Sequence, residues 1–215
     1  MPRILIFANG ILPDLEKARL IVESDDLILC ADGGTRHALA LGLRPAVIIG
    51  DLDSLSVSER QKAEKAGAEI ELYPHDKNET DLELALNYAL EQKPSSIVIV
   101  AALGNRLDQT LGNLALLSDP RFAALDVRLD DGVEEAFFCR GQVPVEGRRG
   151  DLVSLIPWGG AVEDIRTEGL KWPLHAETLY PEKTRGISNE MLGDAAEVSI
   201  TSGLLLIVHR RQSKT

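Results

Sequence analysis

The chain has 215 residues, of which 44% are hydrophobic and 27% charged, the ordinary proportions of a globular protein that builds its own core. Acidic residues outnumber basic ones by 34 to 23, so the formal net charge is −11. This balance argues against the basic stripe of a protein that binds a phosphate backbone, and we expect no nucleic-acid partner.

Neither a membrane span nor an export signal is evident in the sequence. The apolar run at residues 4–8 is too short for the core of a signal peptide, and no run approaches the length of a membrane span. The two cysteines, Cys30 and Cys139, have no paired spacing and lie beside apolar residues, which predicts buried, reduced thiols. We therefore expect a cytoplasmic protein with no membrane partner.

The first half of the chain alternates strand and helix patterns. Short apolar runs predict strands at residues 4–8, 27–31, 46–49, 68–72 and 97–101. Helical patterns follow them at residues 13–22, 35–41, 56–66, 80–90 and 108–117. Ser56 with Glu59, and Thr80 with Glu83, have the spacing of capping boxes at two of the helix starts. The alternation predicts a Rossmann-like parallel sheet with helices on both faces, over residues 1–122.

After Asp119-Pro120 the helical periodicity is nearly lost, and short apolar runs are separated by glycine-rich or charged turns. These runs predict strands at residues 127–129, 136–139, 152–156, 197–201 and 204–209. The turn at residues 201–203 has the composition of a hairpin. We expect an antiparallel β-sandwich or barrel over residues 123–215, so the fold class is α/β with a C-terminal all-β domain.

Polar residues follow the predicted strands of the first half. In an open parallel sheet, ligands bind outside the carboxyl ends of the strands. The segments at those ends are Asn9-Gly10, Asp32-Gly33-Gly34, residues 50–54, residues 75–81 and residues 104–109. Each has an ordinary explanation as a turn or helix start, but together they predict one rim rich in carboxylates and glycines.

Asp51 and Asp53 follow a buried strand with one residue between them. In an extended chain, alternate side chains point the same way, so the two carboxylates would share a small volume and require a cation. Asp32, Asp51, Asp53 and Asp81 are candidate ligands of Mg²⁺, because it is a hard ion with oxygen ligands. For Asp51 and Asp53 the alternative is a turn with an Asx cap. Asp81 has a stronger alternative role, since a negative charge favours any helix start.

Two basic residues lie among these acids. For Lys77 the simplest expectation is a solvated surface position. Arg106 is more suggestive, because a guanidinium group can form two parallel hydrogen bonds to the oxygens of one phosphate. The sequence has no Walker lysine loop and no dinucleotide GxGxxG motif, and its histidines lack metal-ligand spacing. Trp172 in the second half is either a core residue or a ring that stacks on a cationic ligand.

In order along the chain, these residues resemble the thiamine pyrophosphokinase family. The matching segments are 31–34, 50–54, 76–81, 104–109, 170–172 and Ser188-Asn189, which span nearly the whole chain. The resemblance departs at Asn105, where a second glycine is common, and at Gln109, where histidine is frequent. It implies a homodimer that transfers a diphosphate from ATP to the hydroxyethyl group of thiamine, releasing AMP.

The resemblance also implies a role for each site residue. Asp51, Asp53 and Asp81 would hold Mg²⁺ and form the catalytic set. The ATP-binding residues would be Asn9, Asp32, Gly33, Gly34, Lys77, Thr80, Arg106, Asp108 and Gln109. The thiamine-binding residues would be Trp172, Ser188 and Asn189.

Other functions fit the same residues. One is diphosphate transfer to another small alcohol, such as a hydroxymethylpterin, and another is a non-catalytic sensor of nucleotide or thiamine. A metal-dependent phosphohydrolase is the third. The retained set of aspartates counts against a sensor, because a pure binder has no need of several like charges held together.

Overall fold

A computed structural model describes residues 1–104 and 106–212, and the chain forms two compact units, Met1–Gly132 and Val133–Thr215. The first unit has a parallel sheet with helices, and the second has antiparallel sheets, so the predicted fold class is confirmed. The sequence-based boundary at residue 122 lies before Asp126–Asp130, a strand that pairs in parallel with Ser96–Val100 of the first unit.

The sheet of the first unit is parallel throughout its pairings. Its strands are β1 (Arg3–Phe7), β2 (Leu27–Ala31), β3 (Val47–Gly50), β4 (Glu69–Leu72), β5 (Ser96–Val100) and β6 (Asp126–Asp130). They lie in the order β6-β5-β1-β2-β3-β4. The chain therefore builds outward in one direction from β1 to β4 and in the other from β5 to β6. The boundary between β1 and β5 is the topological switch point of a doubly wound sheet.

The helices of this unit are α1 (Leu15–Arg19), α2 (Thr35–Ala40), α3 (Val57–Lys65), α4 (Asp81–Glu91) and α5 (Leu107–Leu117). The Ser56–Glu59 capping box is present with both of its hydrogen bonds. Helix α1 is much shorter than the predicted 13–22, because Asp14 caps it and the chain turns at Leu20, whose side chain is exposed. No helix in the described part of the chain is long and apolar enough to cross a membrane.

Both faces of the sheet are covered. One core cluster joins strand residues to the first three helices through Leu5, Cys30, Ile48, Ala18, Ala38 and Ala63. The alternate strand residues are equally buried, and α4 contacts β1, β2 and β3. Burial raises the pKa of the Cys30 thiol to about 12, so this free cysteine is inert, as expected for a buried thiol.

The second unit is a sandwich. Its strands are β7 (Glu134–Cys139), β8 (Gln142–Glu146), β9 (Leu152–Pro157), β10 (Val162–Glu168), β11 (His175–Leu179), β12 (Asn189–Glu190), β13 (Ala195–Ser199) and β14 (Leu205–Arg210). One sheet has the order β12-β9-β14-β7 and the other β11-β10-β13-β8, and both contribute to one apolar core. The turn at 201–203 is not a hairpin, because β13 and β14 belong to different sheets.

Four strands of this unit were not predicted, namely β8, β10, β11 and β12. Strands β8 and β11 are sheet edges, and β8 contains Pro144, which is tolerated at an edge but weakens the sequence signal. Strand β10 has only two apolar residues, Val162 and Ile165, and register shifts in its pairing with β11 interrupt the strict alternation that would reveal a strand. Strand β12 spans two residues, too short for any periodicity.

A fully buried histidine joins two carboxylates in this unit. His209 Nδ1 lies 2.8 Å from Glu135 Oε1, and its Nε2 lies 3.1 Å from Asp151 Oδ2. Replacing His209 with glutamine removes at least one of these bonds from a buried carboxylate, so we expect the free energy of unfolding to fall by about 2 kcal/mol. Urea unfolding measures it. The control His175→Gln lies on an exposed edge position, and an equal loss in both variants would contradict the assignment.

Candidate active site

A cavity of about 410 Å³ lies at the carboxyl edge of the first unit's sheet. Segments that follow β1 and β5 line it, which places it at the switch point, where doubly wound sheets bind ligands. Its polar lining residues are Asn9, Asp32, Ser54, His75, Lys77, Glu79, Thr80, Asp81, Arg106, Gln109 and Asn113. Six side chains predicted to contact ATP thus line one cavity: Asn9, Asp32, Lys77, Thr80, Arg106 and Gln109.

Carboxylates from three separate segments converge beside this cavity, which Asp32 and Asp81 line and Asp51 and Asp53 do not. Asp32, Asp51 and Asp81 each offer an oxygen, and these oxygens lie within 4.8 Å of one another. Asp51 belongs to a second group of the same size with Asp53 and His75. Of the predicted metal ligands, Asp51 is thus common to both groups, whereas Asp53 and Asp81 fall in different ones.

The donor set fits a hard divalent cation. Asp32 is only 3% exposed, and its Oδ1 has no hydrogen-bond partner among residues 1–104 and 106–212. A buried carboxylate oxygen without a partner is costly, and it is explained if an ion completes its coordination. Oxygen ligands of this kind are those that Mg²⁺ prefers.

Gly50 permits the carboxylates to approach. This residue ends β3 with a φ of +146°, and a Cβ added there would lie 2.9 Å from Asp81 Oδ1 and 3.1 Å from Asp32 Cβ. Any side chain at residue 50 would therefore push apart two of the three converging acids.

The predicted reason for the proximity of Asp51 and Asp53 was wrong. The chain between them is not extended, because Leu52 has a φ of +63° and β3 ends at Gly50. The Asp53 N–H instead donates to Asp51 Oδ1 at 3.2 Å, which is the Asx geometry of the alternative interpretation. This bond is the leading cause that holds the pKa of Asp51 below its usual range, so the carboxylate is charged at neutral pH.

Lys77 is not a solvated surface residue. Its side chain is 12% exposed, and its Nζ lies 2.9 Å from Asp81 Oδ1 and 3.6 Å from Asp51 Oδ2. Burial acts to lower the pKa of Lys77, but the hydrogen bond and charge of Asp81, with the charge of Asp51, raise it overall. The ammonium is therefore charged and neutralises part of the acidic cluster.

His75 and Asn113 were not predicted as site residues. His75 Nδ1 lies 3.4 Å from Asp51 Oδ2, although spacing in the sequence gave no hint of a metal ligand. Asn113 is buried and its Nδ2 donates to the Ala102 carbonyl at 2.7 Å. It lies one helical turn after Gln109 on α5, a spacing that could have revealed it.

Arg106 and Asp108 pair with each other at the start of α5. Two nitrogens of the Arg106 guanidinium contact the Asp108 carboxylate at 3.1 and 2.5 Å, and both side chains are exposed. The hydrogen bond from Arg106 lowers the pKa of Asp108. Arg106 lines the cavity, and in this structure Asp108 holds its guanidinium there. The neighbouring Asn105 lies outside the described residues.

The glycines after β2 have a packing role. Gly33 and Gly34 belong to a 3-10 helix, and a Cβ on Gly33 would lie 2.6 Å from Asn9 Oδ1. A Cβ on Gly34 would collide with the Phe7 carbonyl. These contacts explain both glycines without a ligand, while Asp32 in the same short helix lines the cavity.

The predicted thiamine-binding residues lie together in the second unit. The Trp172 N–H donates to Asn189 Oδ1 at 3.0 Å, and Asn189 Nδ2 donates to the Trp172 carbonyl at 2.7 Å. The Trp172 side chain is a surface residue, not a core one, with 53% exposure. Lys171 Nζ lies 4.9 Å from the centroid of the ring, and the Ser188 N–H donates to Ser154 Oγ at 3.0 Å.

The burial of the Asp32 carboxylate lowers the stability of the fold at neutral pH. Burial raises the pKa of its carboxyl, so its charged form destabilises the metal-free fold, and stability falls as the pH rises through that pKa. We expect Asp32→Asn to raise the free energy of unfolding at pH 7 by about 1 kcal/mol in chelator-treated protein, and to show no gain at a pH below the ordinary aspartate value. Urea unfolding at both pH values measures this. A loss of stability at pH 7 would contradict it.

Two family profiles match the chain. Residues 18–129 match "Thiamin pyrophosphokinase, catalytic domain", and residues 142–205 match "Thiamin pyrophosphokinase, vitamin B1 binding domain". A thiamine pyrophosphokinase of Bacillus subtilis is 32% identical over 213 residues, which cover 97% of this chain and 98% of the relative. The first profile falls within the first unit and the second within the second unit.

Solved structures of similar proteins have the same fold. A thiamine pyrophosphokinase from Bacillus subtilis superimposes with a TM-score of 0.88 at 28% identity, covering 98% of this chain and 100% of the other. A thiamin pyrophosphokinase from Geobacillus thermodenitrificans superimposes with a TM-score of 0.85 at 27% identity, covering 99% of both chains. The similarity thus extends over both units.

Proposed function

The chain belongs to the thiamin pyrophosphokinase family, and from this premise we propose that it transfers a diphosphate group from ATP to thiamine, with thiamine diphosphate and AMP as products. It is then a transferase of thiamine diphosphate biosynthesis. The observation that carries the proposal is the convergence of Asp32, Asp51 and Asp81 beside the cavity at the switch point.

Mg²⁺ is the proposed metal. Asp51 and Asp81 would hold it together with Asp32, and Asp53 would contribute through the second group, which it forms with Asp51 and His75. When bound, such an ion neutralises negative charge on the phosphate oxygens of ATP. The hydrogen bond from the Asp53 N–H lowers the pKa of Asp51, which is consistent with a carboxylate that stays ionised and can bind a cation.

The cavity supplies the groups that ATP requires. Lys77 and Arg106 are the cations that would neutralise phosphate oxygens, and both line the cavity. The remaining residues proposed to position ATP are Asn9, Asp32, Gly33, Gly34, Thr80, Asp108 and Gln109. Of these, Gly33 and Gly34 act indirectly, by shaping the segment that carries Asp32.

Trp172, Ser188 and Asn189 are the proposed thiamine-binding residues. The face of the Trp172 ring already accepts the Lys171 ammonium, so it can accept the cationic ring of thiamine in the same manner. Asn189 supports this position, because its two hydrogen bonds to the Trp172 backbone fix the residue that carries the ring.

In the proposed reaction, the hydroxyl oxygen of thiamine forms a bond to the β-phosphorus of ATP. The bond between that phosphorus and the oxygen bridging to the α-phosphate breaks, AMP leaves, and the hydroxyl proton passes to solvent. The transition state of phosphoryl transfer is loose, so positioning and charge neutralisation supply most of the effect. Lys77 and Arg106 would neutralise phosphate oxygens directly, and the aspartates would act by holding the metal ion.

The test is direct. Purified protein is incubated with ATP, Mg²⁺ and thiamine, and the products are identified by mass spectrometry. Thiamine diphosphate and AMP in equal amounts support the proposal. Inorganic phosphate without thiamine diphosphate would indicate a phosphohydrolase, and turnover of a hydroxymethylpterin in place of thiamine would indicate a different acceptor. A homodimeric state and a cytoplasmic location complete the proposal.

A further inference from the structure

Lys77 lies where a metal ion would compete with it. Its ammonium contacts Asp81 Oδ1 at 2.9 Å and Asp51 Oδ2 at 3.6 Å, and the side chain is largely buried. Asp51 and Asp81 are two of the three carboxylates whose oxygens lie within 4.8 Å of one another. A single side chain therefore neutralises the same pair of acids that the proposed metal site needs.

An ammonium and a divalent cation cannot both be bound closely by the same two carboxylates without strong repulsion. Either cation alone offsets the repulsion between the acids. A metal ion that enters this group would therefore weaken the contacts of the Lys77 Nζ with Asp51 and Asp81, and a displaced ammonium needs new acceptors.

Building on the proposed function, we propose that Lys77 is an exchangeable counter-ion. It holds Asp51 and Asp81 together in the metal-free protein, and it moves onto the phosphate oxygens of ATP when the metal ion takes its place. Lysine suits such an exchange, since it is a compact charge on a flexible stem. Arg106 suits it less, because its guanidinium is already paired in two contacts with Asp108.

This exchange couples two ligands. Without nucleotide, Lys77 opposes metal binding, and with nucleotide it has phosphate acceptors and the opposition disappears. ATP therefore raises the affinity for the metal by more than its own phosphate ligands supply, and by reciprocity the metal raises the affinity for ATP. A lysine that merely braced the loop would support the metal site under both conditions.

The variant Lys77→Met separates these two roles, because it keeps the length and apolar stem of the side chain but removes the charge. Mn²⁺ binding to chelator-treated protein is measured by calorimetry and by electron paramagnetic resonance, with and without a non-hydrolysable ATP analogue. Loss of two competing ion pairs is expected to tighten Mn²⁺ binding in the absence of the nucleotide by about tenfold. In the presence of the analogue, that advantage is expected to vanish and the binding of the analogue to weaken.

Lys65→Met is the matched control, since Lys65 is an exposed residue at the end of α3 and its loss changes the net charge equally. Weaker Mn²⁺ binding by Lys77→Met under both conditions, or no change relative to Lys65→Met, would overturn the exchange. Asp51→Asn tests the underlying site independently. If Asp51→Asn and the unaltered protein bind Mn²⁺ equally, the proposed metal site itself is wrong, whatever Lys77 does.

Discussion

Replacing Asp51 with asparagine is expected to slow the formation of thiamine diphosphate by about 10²- to 10³-fold. Asp51 is common to both groups of possible metal ligands found among residues 1–104 and 106–212, so its loss affects both of them. Asparagine keeps the size and one oxygen of the side chain, and it can still accept the hydrogen bond from the Asp53 N–H. The change therefore removes charge while the turn is retained.

Steady-state rates with saturating ATP, thiamine and Mg²⁺ measure the effect, and Mn²⁺ titration shows whether metal affinity falls with it. The free energy of unfolding is expected to change by less than about 1 kcal/mol, because the lost ion pair with Lys77 is offset by relief of repulsion from Asp81. Asp25→Asn, at an exposed position, is the control for charge alone. Full Mg²⁺-dependent activity in Asp51→Asn would refute the assignment.

Gly50→Ala is expected to lower the rate by about a hundredfold, although residue 50 has no side chain to contact a substrate. The added methyl group would lie 2.9 Å from Asp81 Oδ1 and 3.1 Å from Asp32 Cβ, so two carboxylates must move apart. The backbone adds to the cost, since a φ of +146° is rarely adopted by alanine. We expect the free energy of unfolding to fall by about 1–3 kcal/mol.

Gly67→Ala distinguishes the displacement of the carboxylates from the strain of the backbone. Gly67 also has a positive φ, of +97°, but a Cβ there would meet nothing within 4 Å. Gly67→Ala should thus lose stability through backbone strain while its rate and its Mn²⁺ affinity stay unchanged. If Gly50→Ala and Gly67→Ala lose activity equally, the role of Gly50 in the approach of the carboxylates is wrong.

Local features of this fold were predictable from the sequence. The apolar runs of β1, β2, β3 and β5 are buried on both faces, and such runs are recognisable without knowledge of their neighbours. The Ser56–Glu59 capping box is likewise a contact between residues three apart. Edge strands such as β8 and β11 were not predicted, because their exposed positions carry polar residues like those of loops.

Part of the candidate site was predicted from the sequence, but the backbone geometry assumed for one pair of its residues was wrong. Asp51 and Asp81 were identified because they follow strands, where doubly wound sheets bind ligands. The extended geometry assumed for residues 51–53 failed, because Leu52 adopts a positive φ and the backbone makes an Asx turn. The position of Lys77 between Asp51 and Asp81 was not predicted, since nothing in a loop sequence tells where a flexible side chain ends.

Residue types and local periodicity were thus enough to specify the buried strands of the first unit, the fold class with its two parts and the polar segments at the strand ends. Only the tertiary structure determined the strand order β6-β5-β1-β2-β3-β4. That order brings the carboxyl ends of β1 and β5 together at the cavity. Strand pairing joins segments that are far apart in the chain, so its free energy depends on the whole sheet and leaves no signal in any short window of sequence.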